Sequence, residues 1–225
     1  RDLVTGGSRL DGTFLADLDT VEVFDPETGS FTLLPSHLVH TRATHVMENV
    51  GGGLFALVGG SDVDVRAGLF DVATETFRAL DAPAGETARF GTMGATFASG
   101  SLSVAGGDDR GTVLYLDAAS LVVRNSGSNL SQPRAYGTAT RIATDRILVV
   151  GGADTSRGFF MLHSVDLVQE GGVAGSRTFA TEMRFPTPMV LHTATRLVGG
   201  RVLFCGGLNE DGGLPELDGA YLFTP

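Results

Sequence analysis

A pair of glycines that ends a short apolar run recurs along this chain of 225 residues. The five pairs are Gly6-Gly7, Gly59-Gly60, Gly106-Gly107, Gly151-Gly152 and Gly206-Gly207. They are spaced by roughly fifty residues, and a fixed period of that size is typical of a repeat architecture. The repeat therefore constrains the fold more than any other feature of the sequence.

The composition favours a globular protein built from short strands. The chain is 42% hydrophobic, which is enough for a core, and its 32 glycines suit many turns. No stretch shows a sustained helical period, and no apolar run approaches the length of a membrane span. The single cysteine, Cys205, excludes an intrachain disulfide and a cysteine-rich zinc site.

The charge narrows the choice of partners. A net charge of −10 argues against nucleic acid, because nucleic-acid binding selects a basic face. An acidic surface instead favours solubility and cationic partners. All 16 basic residues are arginine, which we attribute to a GC-rich bacterial source. No signal peptide is visible, but because the sequence starts at Arg1 rather than at Met, this says little about the compartment. We expect a secreted, periplasmic or cell-surface protein, with a cytoplasmic location as the alternative.

Each repeat predicts four strands, named a to d in chain order. Strand b is the apolar run that ends at the glycine pair, and glycine-rich turns such as 51–53 and 199–200 predict an a–b hairpin. Strand a is predicted at 42–50, 89–97, 134–142 and 189–197. Strand c is predicted at 20–25, 67–71, 113–117, 160–166 and 219–224, and strand d carries Phe31 or Phe77.

The repeated unit resembles the kelch repeat, of the superfamily that includes the central domain of galactose oxidase. It reads arginine, then histidine or a small residue, an apolar run with the glycine pair, and a Phe-Asp-Pro-x-Thr-Gly-x-Phe turn, which is complete at 24–31. The final aromatic is Phe here, where kelch repeats usually carry Trp. The resemblance covers the whole chain. It implies an all-β fold, a β-propeller of four-stranded antiparallel blades.

We expect one propeller domain spanning residues 1–225. The predicted complete blades are 38–83, 84–131 and 132–184, flanked by partial blades at 1–37 and 185–225. The first partial blade lacks strand a and the last lacks strand d, which amounts to four and a half blades. Because these two pieces do not complement each other, we expect the chain to be part of a propeller with six or seven blades.

The alternation of strand direction places the b–c and d–a loops on one side of the propeller, here called the b–c face. Kelch propellers typically bind through this face, so the resemblance implies that the charged b–c loops hold the binding residues. The candidates in these loops are Asp62, Asp64, Arg66, Asp108, Asp109, Arg110 and Arg157. The glycine pairs serve as the rigid structural base of these loops.

Three arginines, Arg42, Arg89 and Arg134, each lie seventeen residues before the first glycine of a pair. A ring of guanidinium groups around a central mouth would suit a carboxylate or an acidic peptide. The alternative is a structural role, in which the arginines pair with acidic residues or carbonyl groups between blades. Their recurrence in equivalent places favours that alternative.

The sequence indicates no metal or other cofactor. His45 and His192 share one register of strand a, but two histidines two blades apart do not form a ligand motif. The acidic loops lack the full pattern of a calcium site, so we interpret their carboxylates as solvated charge.

We therefore expect a non-catalytic propeller that binds a protein or a glycan through the b–c face. The alternative is a carbohydrate-active enzyme, such as a lyase or a relative of the propellers that isomerise sialic acid, with arginines and carboxylates at the central mouth. A structural subunit of a large assembly is a third hypothesis. A copper radical oxidase is disfavoured, because the three tyrosines have no matching set of cysteine and histidine ligands.

Overall fold

A computed structural model describes residues 2–60, 67–87, 89–172, 174–209 and 219–225 of the chain. These residues form eighteen blade strands in five antiparallel sheets, arranged as a five-bladed β-propeller. The only helical element among them is a 3-10 turn at Thr155–Arg157. No helix in this part of the chain has the length and apolar character needed to cross a membrane.

The three middle sheets have four strands each, in the order a, b, c, d from the centre outwards. The second blade comprises β6 (Val46–Gly51), β7 (Leu54–Val58), β8 (Ala67–Asp71) and β9 (Thr76–Leu80). The third comprises β10 (Met93–Thr96), β11 (Leu102–Ala105), β12 (Thr112–Leu116) and β13 (Val123–Asn129). The fourth comprises β14 (Thr138–Arg141), β15 (Arg146–Val150), β18 (Ser164–Glu170) and β19 (Ser176–Arg184).

The first and the last sheet along the chain have three strands each. The first contains strands b, c and d, which are β1 (Asp2–Thr5), β4 (Val21–Asp25) and β5 (Ser30–Leu33). The last contains strands a, b and c, which are β20 (Thr193–Arg196), β21 (Val202–Cys205) and β22 (Ala220–Phe223). The strand content of all five repeats is thus the predicted one, whereas a larger parent ring stays a prediction.

Within the described residues, two b–c loops form short ribbons of their own above the blades. The ribbon of the first blade pairs β2 (Ser8–Asp11) with β3 (Phe14–Asp17). The ribbon of the fourth blade pairs β16 (Ala153–Asp154) with β17 (Phe160–Met161). The predicted strand c at 160–166 was therefore wrong at its start, because residues 160–161 belong to this ribbon and the blade strand is Ser164–Glu170.

The core consists of one apolar layer between each pair of neighbouring blades. Val46 and Leu69 of the second blade pack with Leu102 and Leu114 of the third, and equivalent clusters fill the other three gaps. The inner strands β6, β10, β14 and β20 are successive neighbours around the central channel. At the outer edge, Phe24 pairs with Phe31 in register, with ring centroids 4.8 Å apart, which explains the repeated phenylalanines.

Candidate binding face at the mouth of the channel

The repeated arginines and glycines form one hydrogen-bond network, here called the arginine–glycine network. Each arginine donates from Nη1 to the carbonyl of the first glycine in its own blade. In the third blade, the distance from Arg89 Nη1 to Gly106 O is 2.8 Å. The second glycine of the preceding blade donates its backbone N–H to the carbonyl of the same arginine, as Gly60 does to Arg89 over 2.8 Å. The network therefore ties each blade to the next.

The network requires glycine because the backbones approach very closely. Gly151 has a φ of +62°, and a Cβ built on it would lie 2.5 Å from the carbonyl oxygen of Met189 in the next blade. No larger residue fits that gap without moving the chain. The pair is thus a joint between blades, as well as the end of strand b.

The three arginines are buried, with at most 2% of each residue exposed. Arg134 donates to the carbonyl of Ser164 and to the carboxylate of Asp166, with Nη2 and Oδ2 2.7 Å apart. Burial lowers the pKa of Arg134, and the charge of Asp166 opposes that shift. These guanidinium groups fasten the segment before strand a to strands b and c of the same blade, while the arginine carbonyls make the links to the preceding blade. The guanidinium groups are not accessible to a ligand, so their contacts support the structural interpretation.

Asp108 also belongs to the interior rather than to the exposed loop surface. Its carboxylate accepts hydrogen bonds from the backbone N–H and the hydroxyl of Thr112 and lies 3.5 Å from Arg89 Nη2. Glu86 is a second carboxylate beside the same guanidinium group, with its Oε2 2.8 Å from Arg89 Nη2. Burial alone would raise the pKa of Glu86, but hydrogen bonds from Asn125 and Arg89 and the nearby arginine charges outweigh it and lower that pKa.

Of the remaining predicted loop residues, the three that the structure describes are all exposed. Asp109 and Arg110 are exposed, and Arg110 approaches Glu86 to 3.8 Å. Arg157 is also exposed, and its Nε lies 3.5 Å from the buried carboxylate of Asp154. Asp62, Asp64 and Arg66 lie outside the described residues.

His45 and His192 are packing residues of the blade joints. Their Nε2 atoms are hydrogen-bonded to Thr5 and Thr138 of the preceding blades, at 2.8 and 2.9 Å. Desolvation lowers the pKa of each histidine to about 4, aided by the charge of Arg42 in the case of His45. Within the described ranges, no group of three or more His, Cys, Asp or Glu side chains could hold a metal ion.

A second ring of repeat positions surrounds the channel mouth, here called the mouth ring. Its members lie two residues after the repeat arginine or its substitute and are Thr44, Gly91, Tyr136 and Leu191. All four have a left-handed backbone, with φ between 54° and 70°. Gly91 N–H donates to Thr44 Oγ1, Tyr136 N–H to Gly91 O, and Leu191 N–H to Tyr136 O, at 2.8 to 2.9 Å.

The mouth ring carries side chains where glycine would be unstrained. A left-handed conformation costs a non-glycine residue about 1–2 kcal/mol, and only Gly91 avoids that cost. Strained residues of this kind concentrate at functional sites. The side chains of Tyr136 and Leu191 are therefore candidates for a role other than folding.

An aromatic cluster covers part of the mouth and consists of Phe90, Tyr136 and Phe159. The Phe90 and Tyr136 ring centroids are 5.9 Å apart in an edge-on arrangement, and those of Tyr136 and Phe159 are 5.8 Å apart. Phe90 is 38% exposed and Phe159 is 40% exposed, and Phe159 also has a left-handed backbone. Beneath them, Tyr136 packs on Ala153 and its buried neighbours.

The sequence did not predict this cluster, because the prediction rested on residues that recur at equivalent positions of the repeats. Phe90 and Tyr136 have no aromatic counterpart in the other repeats, and Phe159 lies in a b–c loop, where sequence and length vary between repeats, so none of the three was singled out. One signal was present: Gly91 occupies the register of Tyr136, which points to a left-handed backbone there.

The ribbon of the first blade adds a further apolar surface to the b–c face. Leu10, Phe14 and Leu15 near its turn are 72%, 78% and 74% exposed. Leu10 and Leu15 are directly paired across the ribbon, so their side chains share one of its sides. Large apolar side chains that reach so far into solvent are typical of interaction surfaces.

The fold is shared with known propeller structures, but no protein family is shown. The chain matches no known protein-family profile and no protein of curated function. It matches 211 chains of solved structures, so the architecture is common and does not by itself define a function. One match is the structure of YjhT, with a TM-score of 0.71 and 16% identity, which covers 98% of this chain and 77% of YjhT. At that identity, the similarity establishes the fold alone.

Proposed function

We propose that this chain is a kelch-like propeller that acts as a non-catalytic interaction module and binds a protein or glycan through the b–c face. The observation that carries the proposal is the group of large apolar side chains exposed in loops of that face. It includes Leu10, Phe14 and Leu15 of the first ribbon and Phe159 at the mouth. Loops do not need such side chains for their own folding, so a binding role accounts for them.

The acidic composition adds to this proposal. A net charge of −10 favours partners that are neutral or basic over partners that are acidic. Because the repeat arginines are buried in the arginine–glycine network, they do not offer an acidic peptide the bidentate contacts expected from their sequence positions.

A photo-crosslinking amino acid placed on either side of the propeller tests the proposal. Leu15 and Asp109 report on the b–c face, and Glu27 and Ala119 report on the opposite face. In the cells that make the protein, we expect crosslinked products from the first pair only, and their mass distinguishes protein from glycan. Products confined to Glu27 and Ala119 would contradict the proposal. Products of the chain with itself from both faces would instead support a subunit of an assembly.

One observation favours the enzyme alternative and can be tested separately. Burial raises the pKa of Glu48 on the inner strand β6, and the charge of Arg141 on β14 only partly offsets the shift. A raised pKa is the property that a carboxyl group needs for general acid catalysis. Under the main proposal, neither the natural chain nor the Glu48→Gln variant converts a neutral oligosaccharide into a product. Turnover that is lost in Glu48→Gln would favour the enzyme.

A further inference from the structure

We propose that the aromatic cluster of Phe90, Tyr136 and Phe159, with Arg157 beside it, binds the flat face of a neutral pyranose ring in a glycan. This inference rests on the proposed function and names the class of ligand that the mouth of the b–c face takes. It concerns residues of two neighbouring blades that lie next to each other only in the folded propeller.

The size of the exposed aromatic surface fits a sugar better than a protein. An aromatic side chain offers about 150–250 Å², and two of the three rings expose about two-fifths of theirs, so the cluster offers on the order of 200 Å². A stable protein interface needs about 800 Å² from each partner. One or two sugar rings match the smaller area, and their axial C–H groups stack on aromatic faces.

The cluster is held rigidly, which favours binding of a small ligand. Tyr136 and Phe159 both have left-handed backbones, with φ of 60° and 69°. Tyr136 is fixed on both sides by the hydrogen bonds of the mouth ring and from below by Ala153, Met161 and Val190. A rigid platform loses little conformational entropy when a ligand binds.

Polar groups beside the cluster can orient a sugar. Arg157 lies two residues before Phe159, and its side chain is 68% exposed. The buried Asp154 anchors it, since its Oδ2 faces Arg157 Nε while its Oδ1 accepts from Ser156 N–H over 3.0 Å. Among the residues that the structure describes, the other guanidinium nitrogens of Arg157 have no hydrogen-bond partner, so they can donate to sugar hydroxyl groups. Burial raises the pKa of Tyr136, so its phenol stays protonated and can also donate.

The charge of the protein decides between neutral and acidic sugars. With a net charge of −10, the surface repels polyanionic glycans over distances of about a Debye length. A neutral β-linked oligosaccharide, whose rings are extended and flat, avoids that repulsion.

Isothermal titration with cellohexaose and chitohexaose, compared with the anionic hexagalacturonate, tests this inference. We expect at least one neutral hexasaccharide to bind and hexagalacturonate to bind at least tenfold more weakly. Phe159→Ala and Tyr136→Ala should each weaken binding of the neutral sugar by about tenfold or more, because each removes a stacking face. Tyr136→Phe, which keeps the ring, should bind within about threefold of the natural chain.

Phe179→Ala is the matched control, because Phe179 has similar exposure, at 45%, but lies on the outer strand β19. It should leave the affinity unchanged, and melting temperatures should show that all the variants are folded. If no neutral sugar binds the folded natural chain, the glycan assignment is overturned, while crosslinking through Leu15 and Asp109 would still uphold the proposed function. Equal sugar affinity in Phe159→Ala and the natural chain would also overturn the site.

Discussion

Arg134 and Tyr136 are two residues apart at the channel mouth, but they differ in burial and in whether they recur among the repeats. Arg134 is buried and bound to Gly151, Ser164 and Asp166, and it has counterparts at Arg42 and Arg89. Tyr136 is partly exposed, strained in its backbone and without an aromatic counterpart in other repeats. The comparison indicates that recurring residues build the propeller, whereas residues that break the repeat on exposed positions are the ones available for binding.

The largest effect is expected for Arg134→Met, which copies the residue found at this register in Met189. Without the guanidinium, Asp166 is a buried carboxylate with no cation beside it. We expect the free energy of unfolding to fall by about 3–5 kcal/mol, measured by urea denaturation.

Arg124→Met is the control, because its ion pair with Asp117 is partly exposed and should contribute less than about 1 kcal/mol. Combining Arg134→Met with Asp166→Leu should recover part of the loss, since no buried charge remains. An equal loss in Arg124→Met would contradict the special role of the arginine–glycine network.

The next effect concerns pH and the blade joints. His192 is neutral in the folded chain, because burial lowers its pKa to about 4 from the ordinary 6.5. Between these two pH values the unfolded chain binds more protons than the folded chain. The free energy of unfolding therefore has its full value above about pH 6.5 and decreases as the pH drops towards 4. The loss is about 3 kcal/mol at most for each such histidine, and His45 adds a similar one.

His192→Thr tests this pH dependence, because Thr92 already fills the same register in the third blade. The variant should show a flatter decline of stability between pH 6.5 and 4 than the natural chain. His37→Thr, at an exposed histidine, should leave the decline as it is. An unchanged slope in His192→Thr would show that His192 titrates normally when the chain is folded.

The smallest effect is expected at the mouth ring. Leu191→Gly relieves a left-handed backbone and removes a side chain that is 57% exposed, so stability should stay the same or rise by up to about 1 kcal/mol. Leu222→Gly is the contrasting variant, because Leu222 is similarly exposed but lies in the regular strand β22. There glycine should lower stability by about 1 kcal/mol. A loss at Leu191 as large as that at Leu222 would mean that the mouth ring stores no strain.

The fold was predictable from the sequence because the glycine pairs and the apolar strands recur in fixed register. The same register gave the strand content of both incomplete sheets. It placed the start of strand a too early, since Arg89 and the three residues after it form the network and the mouth ring before β10 begins at Met93. It also missed the ribbons of the first and fourth blades, because the b–c loops do not follow the repeat.

The site was less predictable, for a physical reason. Whether Asp108 faces solvent or Arg89 depends on the loop between blades, which sequence spacing does not determine. The aromatic cluster joins residues from two blades, and one of them, Phe159, lies in a b–c loop, whose length and sequence vary between repeats. A comparison of the repeats detects residues that recur and therefore misses such residues, although these are the ones that distinguish one propeller from another.

The central claim is that the recurring arginines build the fold and the aromatic mouth does not. The free energy of unfolding of Arg89→Ala and Phe159→Ala, measured side by side by urea denaturation at pH 7, tests it most directly. We predict a loss of about 3–5 kcal/mol for Arg89→Ala, which leaves the buried Asp108 without its cation and Glu86 with only the more distant Arg110, and a loss below about 1 kcal/mol for Phe159→Ala. A stable Arg89→Ala, or a Phe159→Ala that is destabilised to the same extent, would contradict the account.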